Sequence, residues 1–249
     1  MKYIFLGSNS DICKAFKESL GEKENFVDIS RSHKSDIKIE WSEKYKPFSK
    51  EDLLKTTNWN VLISFIGTQE PFGLIDELDP KKLIEGINYN FTYQFASICQ
   101  LLKYRDKSSF SKVIFFAGGG TNNAPTHYSA YITSKIALIK LTELLSAEFA
   151  NVHATIIGPG WVKTKIHTPT LENGLKKSPS SYLETHRRFK ENDFVPMSEV
   201  IACLNVIIKS IDNRYAGRNI SVKYDDWKNV DFLNNEPPIS SNYKLRRIS

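Results

Sequence analysis

Short continuous apolar runs alternate with stretches of helical periodicity along nearly the whole chain. Tyr3–Leu6, Val61–Ile66 and Lys112–Phe116 are short, nearly continuous apolar runs that read as buried strands, and Asn25–Ser30 and the run opening at Val152 read as further strands. Asp36–Trp41 alternates enough to be a further short strand, and 217–224, after a turn, reads as the last. Between them the spacing predicts helices from the Gly7–Cys13 turn to about Leu20, over 51–57, from Asp79-Pro80 to about Tyr104, over 127–150, and over 198–211. Asp79 and Ser198 are suitable N-terminal caps, and Pro80 suits a first turn. Strands alternating with helices of this length predict an α/β fold, a doubly wound parallel sheet in a single domain. Ligands of such sheets bind at the carboxyl ends of the strands.

Composition changes this picture little. A chain of 249 residues can enclose one sizeable core, and 41% hydrophobic with 25% charged residues is ordinary for a globular protein. No run of about 18 apolar residues predicts a membrane span, and the N-terminus passes straight into a strand instead of a signal peptide. Cys13, Cys99 and Cys203 fit neither a disulfide framework nor a zinc site, so no metal is expected and a reducing cytoplasm is the simplest home. The net charge of +6 is concentrated. Between Lys163 and Lys190 stand seven cations (Lys163, Lys165, Lys176, Lys177, Arg187, Arg188, Lys190) and two acids, Glu172 and Glu184. A local excess of that kind points to an anionic small molecule near one face and not to a nucleic-acid stripe. His167 and His186 have no metal spacing and read as surface residues.

Candidate chemistry centres on Ser129–Lys135, SAYITSK. On a helix Tyr131 and Lys135 share one face, a turn apart. An ammonium beside a phenol favours the phenolate and lowers the tyrosine pKa from roughly 10, which suits proton exchange with an alcohol or alkoxide. At the first strand, Gly7-Ser8-Asn9-Ser10-Asp11-Ile12 is a turn into a helix, the unit that sets a pyrophosphate on free backbone N–H groups. A carboxylate facing a pyrophosphate is costly, so Asp11 is expected to point away. After the second strand comes Ser30-Arg31-Ser32-His33, with Asp28 too early to reach a ribose; Arg31 offers a fixed, charged fork suited to a 2′-phosphate. NADP(H) is therefore preferred over NAD(H).

Tyr131-x-x-x-Lys135 followed by Pro159-Gly-x-Val162-x-Thr164 resembles the short-chain dehydrogenase/reductase family over nearly the whole length of the chain. The resemblance implies a Rossmann-type NAD(P)-binding domain over 1–233, with 165–196 as a substrate cover and 234–249 as a tail that is poorly ordered or docked on a partner. It implies that Tyr131 is the general acid/base, that Lys135 tunes it and holds the nicotinamide ribose, and that Asn90, in a segment similar to the family's Asn-Leu-x-Gly-x-Phe, supports the proton relay; Asn88 is a rival. Pro159, Val162 and Thr164 would position the nicotinamide, Glu40 and Trp41 the adenine, and Ile66-Gly67 would allow close backbone approach. Homodimers or homotetramers formed through the two long helices are expected on the same ground.

The chain also departs from the family. Asp11 and Cys13 stand where two glycines are usual, Ser64-Phe65-Ile66-Gly67 replaces Asn-Asn-Ala-Gly, and Gly118 stands where a serine normally holds the substrate carbonyl. Thr121, Asn122 or Asn123, a substrate hydroxyl, or water could supply the missing donor. The reading is an NADP-dependent oxidoreductase interconverting a carbonyl and a secondary alcohol, on a small anionic or nucleotide- or sugar-linked substrate, without nucleic-acid or membrane partners. Its rivals are a catalytically silent nucleotide-binding sensor or scaffold and an epimerase or dehydratase of the same fold.

Overall fold

The computed structural model describes residues 1–21, 23–40, 48–121, 123–229, 231–234 and 242–245. Seven strands form one parallel sheet: β1 (Lys2–Leu6), β2 (Asn25–Ser30), β3 (Ile37–Lys38), β4 (Val61–Ser64), β5 (Ser111–Phe116), β6 (Val152–Gly158) and β7 (Arg218–Ser221). Their spatial order is β3-β2-β1-β4-β5-β6-β7. The order reverses between β1 and β4, where Leu6 pairs with Ser64, and a crevice opens beyond strand ends at such a point. All six residues of β5 are buried, as its unbroken apolar run requires of a strand covered on both faces.

Helices α1 (Asp11–Ser19) and α8 (Met197–Lys209) cover one face, packing Cys13, Phe16, Cys203 and Leu204 on Phe5, Ile63 and Ile220. On the other lie α2 (Lys50–Lys55), α3 (Pro80–Ile87), α4 (Tyr93–Leu101) and α5 (Ser129–Glu148), with Ile98, Leu138 and Leu145 against Ile4, Leu62 and Val113. Fully burying one such side chain contributes about 1.5–3 kcal/mol. Local signals start these helices. Ser49 and Asp52 form a reciprocal capping box on α2, and Asp79 accepts from the Lys81 N–H above Pro80 on α3.

Three features differ from the sequence expectation. The stretch expected as one helix from 80 to 104 is α3, a π-helical turn over Asn88–Thr92, α4, and a 3-10 turn over Leu102–Tyr104. The segment 165–196 contains two helices, α6 (Thr168–Lys177) and α7 (Pro179–Glu191), each with proline in its first turn. At the chain's end, 242–245 lie on the sheet's own edge: Asn219 N–H donates to the Tyr243 carbonyl (2.8 Å) and Arg218 Nη1 to that of Asn242 (2.7 Å). Trp41, Pro237, Pro238, Arg246 and Arg247 lie outside the described residues. Among the described residues, no helix is long and apolar enough to cross a membrane.

Candidate active site

Beyond the ends of β1, β4, β5 and β6 opens a cleft of about 1940 Å³. Its first wall is the turn after β1. Gly7 adopts φ +77°, and a Cβ there would lie 2.9 Å from the Ile66 side chain, so both conformation and space demand glycine. The turn closes with Ser10 N–H on the Gly7 carbonyl (3.0 Å) and leads into α1. Asn9, Ser10, Asp11 and Ile12 line the cleft, where the first N–H groups of α1 have no intrahelical partner. Ser8 is buried and borders a smaller hollow of about 330 Å³ shared with Lys14 and Lys34. Cys13 fills close packing under α1, and burial pushes its thiol up to about 12.

Asp11 reaches across the groove to the segment after β6. Its Oδ2 accepts from the Lys165 N–H at 2.8 Å, and the Lys165 ammonium lies 3.8 Å from Oδ1. Arg31, at the tip of β2, lines the cleft with its guanidinium 5.3 Å from the Tyr89 ring centroid. Asp28 lies within β2 and pairs with Lys17 at 2.6 Å. Glu40 pairs with Lys38 (2.9 Å) and does not line the cleft.

The centre of the cleft belongs to α5. Tyr131 and Lys135 share one face, with the Lys135 Nζ 5.7 Å from the phenol ring centroid. That amine is buried and donates to the main-chain carbonyls of Ile66 (3.1 Å) and Phe116 (2.9 Å), the ends of β4 and β5. A Cβ on Gly67 would touch it at 3.5 Å. The expected lowering of the phenol pKa is not found in the ligand-free protein. Burial pushes Tyr131 up to about 12 and Lys135 down to about 7. The reason is that both groups lose water on burial, and the amine's hydrogen bonds go to backbone carbonyls and not to the phenol.

Asn90 is fully buried in the π-helical turn. Its Nδ2 donates to the carbonyls of Thr68 (2.9 Å) and Gly86 (3.0 Å), and its Oδ1 accepts from the Thr68 N–H (2.9 Å). These contacts belong to Asn90 and not to its rival Asn88. Two residues missed in the sequence complete the network. Gln94 Nε2 donates to the Asn90 carbonyl (2.6 Å), and Ser64 Oγ donates to Gln94 Oε1 (2.7 Å). Asn90 and Gln94 stand one helical turn apart, a spacing that could have announced the pair. Ser64 and Gln94 thus support the strand end where asparagines are absent.

Ile66 and Gly67, and Pro159, Val162 and Thr164 after β6, also line the cleft. His167, expected at the surface, is instead buried and stacked on Trp161 with ring centroids 4.9 Å apart. Apolar packing against Trp161, Phe189 and Phe194 explains its burial. His167 Nδ1 and Asn219 Oδ1 are buried cleft-wall acceptors without a partner among the described residues. A positive-φ glycine turn, free N–H groups on a helix and orphaned acceptors fit a dinucleotide.

The two arginines of 163–190 are neutralised within the fold. Arg187 pairs with Glu184 (3.0 Å), Glu191 and Asp193 (2.9 Å), and Arg188 with Glu184 (2.7 Å) and Asp193 (3.1 Å). The neutralising acids Glu191 and Asp193 stand just past the counted window. Lys177 and Lys82 remain as cations on the cleft rim. Among the described residues, no group of three or more His, Cys, Asp or Glu could hold a metal ion.

The fold and this site define a class, and comparison with known proteins names it. The family model for short chain dehydrogenase matches residues 8–174, and the chain belongs to that family. It is 26% identical over 175 residues to the uncharacterized oxidoreductase YIR035C of Saccharomyces cerevisiae, covering 69% of this chain and 68% of the relative. The crystal structure of that short chain dehydrogenase/reductase superposes with a TM-score of 0.76 at 18% identity, over 93% of this chain and 98% of the other. A small-chain dehydrogenase in complex with NADPH superposes at 0.69 with 15% identity, over 89% and 95%. At such identities the structural likeness is one of fold.

Proposed function

We propose that the protein is an NADP-dependent reductase that converts a carbonyl to a secondary alcohol. The observation that carries this reading is Lys135, a buried amine held between two strand-end carbonyls directly under the Tyr131 phenol in the cleft. A phenol held at about 12 stays protonated through neutral pH, so Tyr131 is set to donate a proton to an alkoxide. In its protonated form Lys135 keeps one N–H beyond the two given to the carbonyls, as a donor to the ribose, and its charge stabilises the phenolate left behind. Asn90 keeps the strand end under it rigid through Thr68. NADPH, when bound, supplies the hydride. Arg31, with Lys34 of the adjoining hollow, would hold the 2′-phosphate. Lys82 and Lys177 favour a small anionic substrate under the α6–α7 cover, and exposed Phe95 and Leu144 on α4 and α5 suit pairing of two copies.

Fluorescence titration with NADPH and NADH, followed by NADPH oxidation over a panel of ketones and aldehydes, tests the reading. Tyr131→Phe is expected to bind NADPH as the wild type does and to lose turnover. Arg31→Ala is expected to weaken NADPH binding while sparing NADH. NADPH binding without turnover of any carbonyl, unaffected by Tyr131→Phe, would instead favour a silent sensor, the rival that Gly118 supports.

A further inference from the structure

Position 118 offers no hydroxyl to a substrate carbonyl, yet the cleft wall contains a polar side chain suited to that task. Gln69 follows the β4 end by a few residues and lines the cleft. Its neighbour Thr68 is clamped through both N–H and C=O by Asn90. Gly67, two residues before it, abuts the Lys135 amine. Two residues of chain span about 7 Å at most, so Gln69 belongs to the same short stretch of cleft wall that touches the Lys135 amine through Gly67.

A buried hydrogen-bond chain fixes its amide. Tyr128 Oη lies 2.8 Å from Thr170 Oγ1, and Thr170 donates to Gln69 Oε1 at 3.0 Å. A hydroxyl has one proton; Thr170 gives its own to Gln69, so Tyr128 donates to Thr170. With Oε1 so engaged, Nε2 is left with no protein partner among the described residues, on a residue that lines the cleft.

We propose that Gln69 Nε2 is the substrate-polarising donor of this enzyme, hydrogen-bonding the carbonyl oxygen that Tyr131 protonates, with Thr170 and Tyr128 as positioning residues. The proposal rests on the reductase reading. It also ties recognition to the 165–196 segment, because Thr170, which holds Gln69, belongs to α6.

Gln69→Glu separates the donor from a mere strap, since a carboxylate still accepts from Thr170 but offers the cleft no N–H. The expected result is a 10- to 100-fold loss in kcat/KM for carbonyl reduction, with NADPH affinity and melting temperature unchanged. Thr170→Val is expected to raise KM several-fold with a smaller change in kcat. Gln69→Glu retaining kcat/KM within threefold overturns the assignment, and so does a loss explained by weaker NADPH binding. Wild-type protein that binds NADPH yet reduces no carbonyl sinks the reductase reading and this assignment together, whereas an active wild type with an indifferent Gln69→Glu sinks only the assignment.

Discussion

Tyr131 occupies the volume that any side chain at Gly118 would need. A Cβ built on Gly118 would lie 2.5 Å from Tyr131 Cε1 and 2.7 Å from its hydroxyl oxygen. Glycine here is thus part of the tyrosine's seat. The clash falls on the free end of a side chain, which can swing, so the cost lies in placement more than in folding. Gly118→Ala is expected to destabilise by about 1–3 kcal/mol, the usual range for overpacking, and to lower carbonyl turnover at least tenfold. Thermal melts beside steady-state kinetics check both figures. Gly118→Ser recovering activity above Gly118→Ala would show that a hydroxyl can be used there.

Lys135 gives a pH signature. Its pKa falls from 10.5 to about 7 on folding, so between those values the unfolded chain binds more protons than the native one. Stability then rises with pH across that window, and the cost of burying the charge is fully present below about pH 7. Lys135→Met lacks this term. The variant is expected to be more stable than the wild type at pH 6, with the gap narrowing by pH 9. Urea unfolding of both proteins at several pH values measures it, and a gap that stays constant would mean the amine is not desolvated as the structure has it.

The sheet was legible in the sequence because parallel strands covered on both faces leave an unbroken apolar run, as in VIFF and VLI. Tyr131, Lys135, Gly7 and Asn90 were also legible, since fixed spacings from a strand end or along a helix bring such residues to one place. What escaped depends on contacts between elements. Gln94 is a polar helix residue that only the fold shows to be buried, and Gln69 gains its orientation from Thr170, far along the chain. The partners of the two arginines escaped because α7 ends with Asn192 at φ 52°, turning Asp193 back onto Arg187 and Arg188.

The Asn90 network sets how the strand end stands under the amine. Truncating Asn90 leaves both polar groups of Thr68 and the Gly86 carbonyl short of partners in a buried place. Asn90→Ala is expected to cost about 2–4 kcal/mol, since each orphaned buried group costs about 1–3 kcal/mol and some are re-solvated. Chemical denaturation gives the number. A change below 0.5 kcal/mol would mean the π-helical turn holds without it.

His153 makes a second, acid-side prediction. It is buried between Phe110 (ring centroids 4.5 Å apart) and the Lys112 amine, 3.4 Å from Nδ1. Burial first, then the Lys112 charge, lowers its pKa from 6.5 to about 4. Between those values the unfolded chain takes up a proton that the native ring refuses, so stability falls as pH drops from 6.5 towards 4. His153→Gln is expected to flatten that decline. Melting temperatures of both proteins from pH 7 to pH 4.5 check it, and parallel curves would locate the acid sensitivity elsewhere.

Asp11 and Lys165 set the charge of the groove. The carboxylate accepts from the Lys165 main chain and holds its ammonium at 3.8 Å, so the pair brings little net charge to the N-terminus of α1. Removing the carboxylate leaves the Lys165 ammonium, still donating to the Asn9 carbonyl, without a counter-charge beside unpaired helix N–H groups facing the same space, both attractive to phosphate. Asp11→Ala is therefore expected to tighten NADPH binding about three- to tenfold at low ionic strength, less so at high salt, where screening shortens the reach of the charge. Opposing this, the Lys165 strap loses its anchor and becomes freer, which costs ordering entropy on binding and holds the expected gain to that modest size. Fluorescence titration at two salt concentrations reads both terms, and weaker binding at low and high salt alike would show that the strap, not the charge, is what Asp11 supplies.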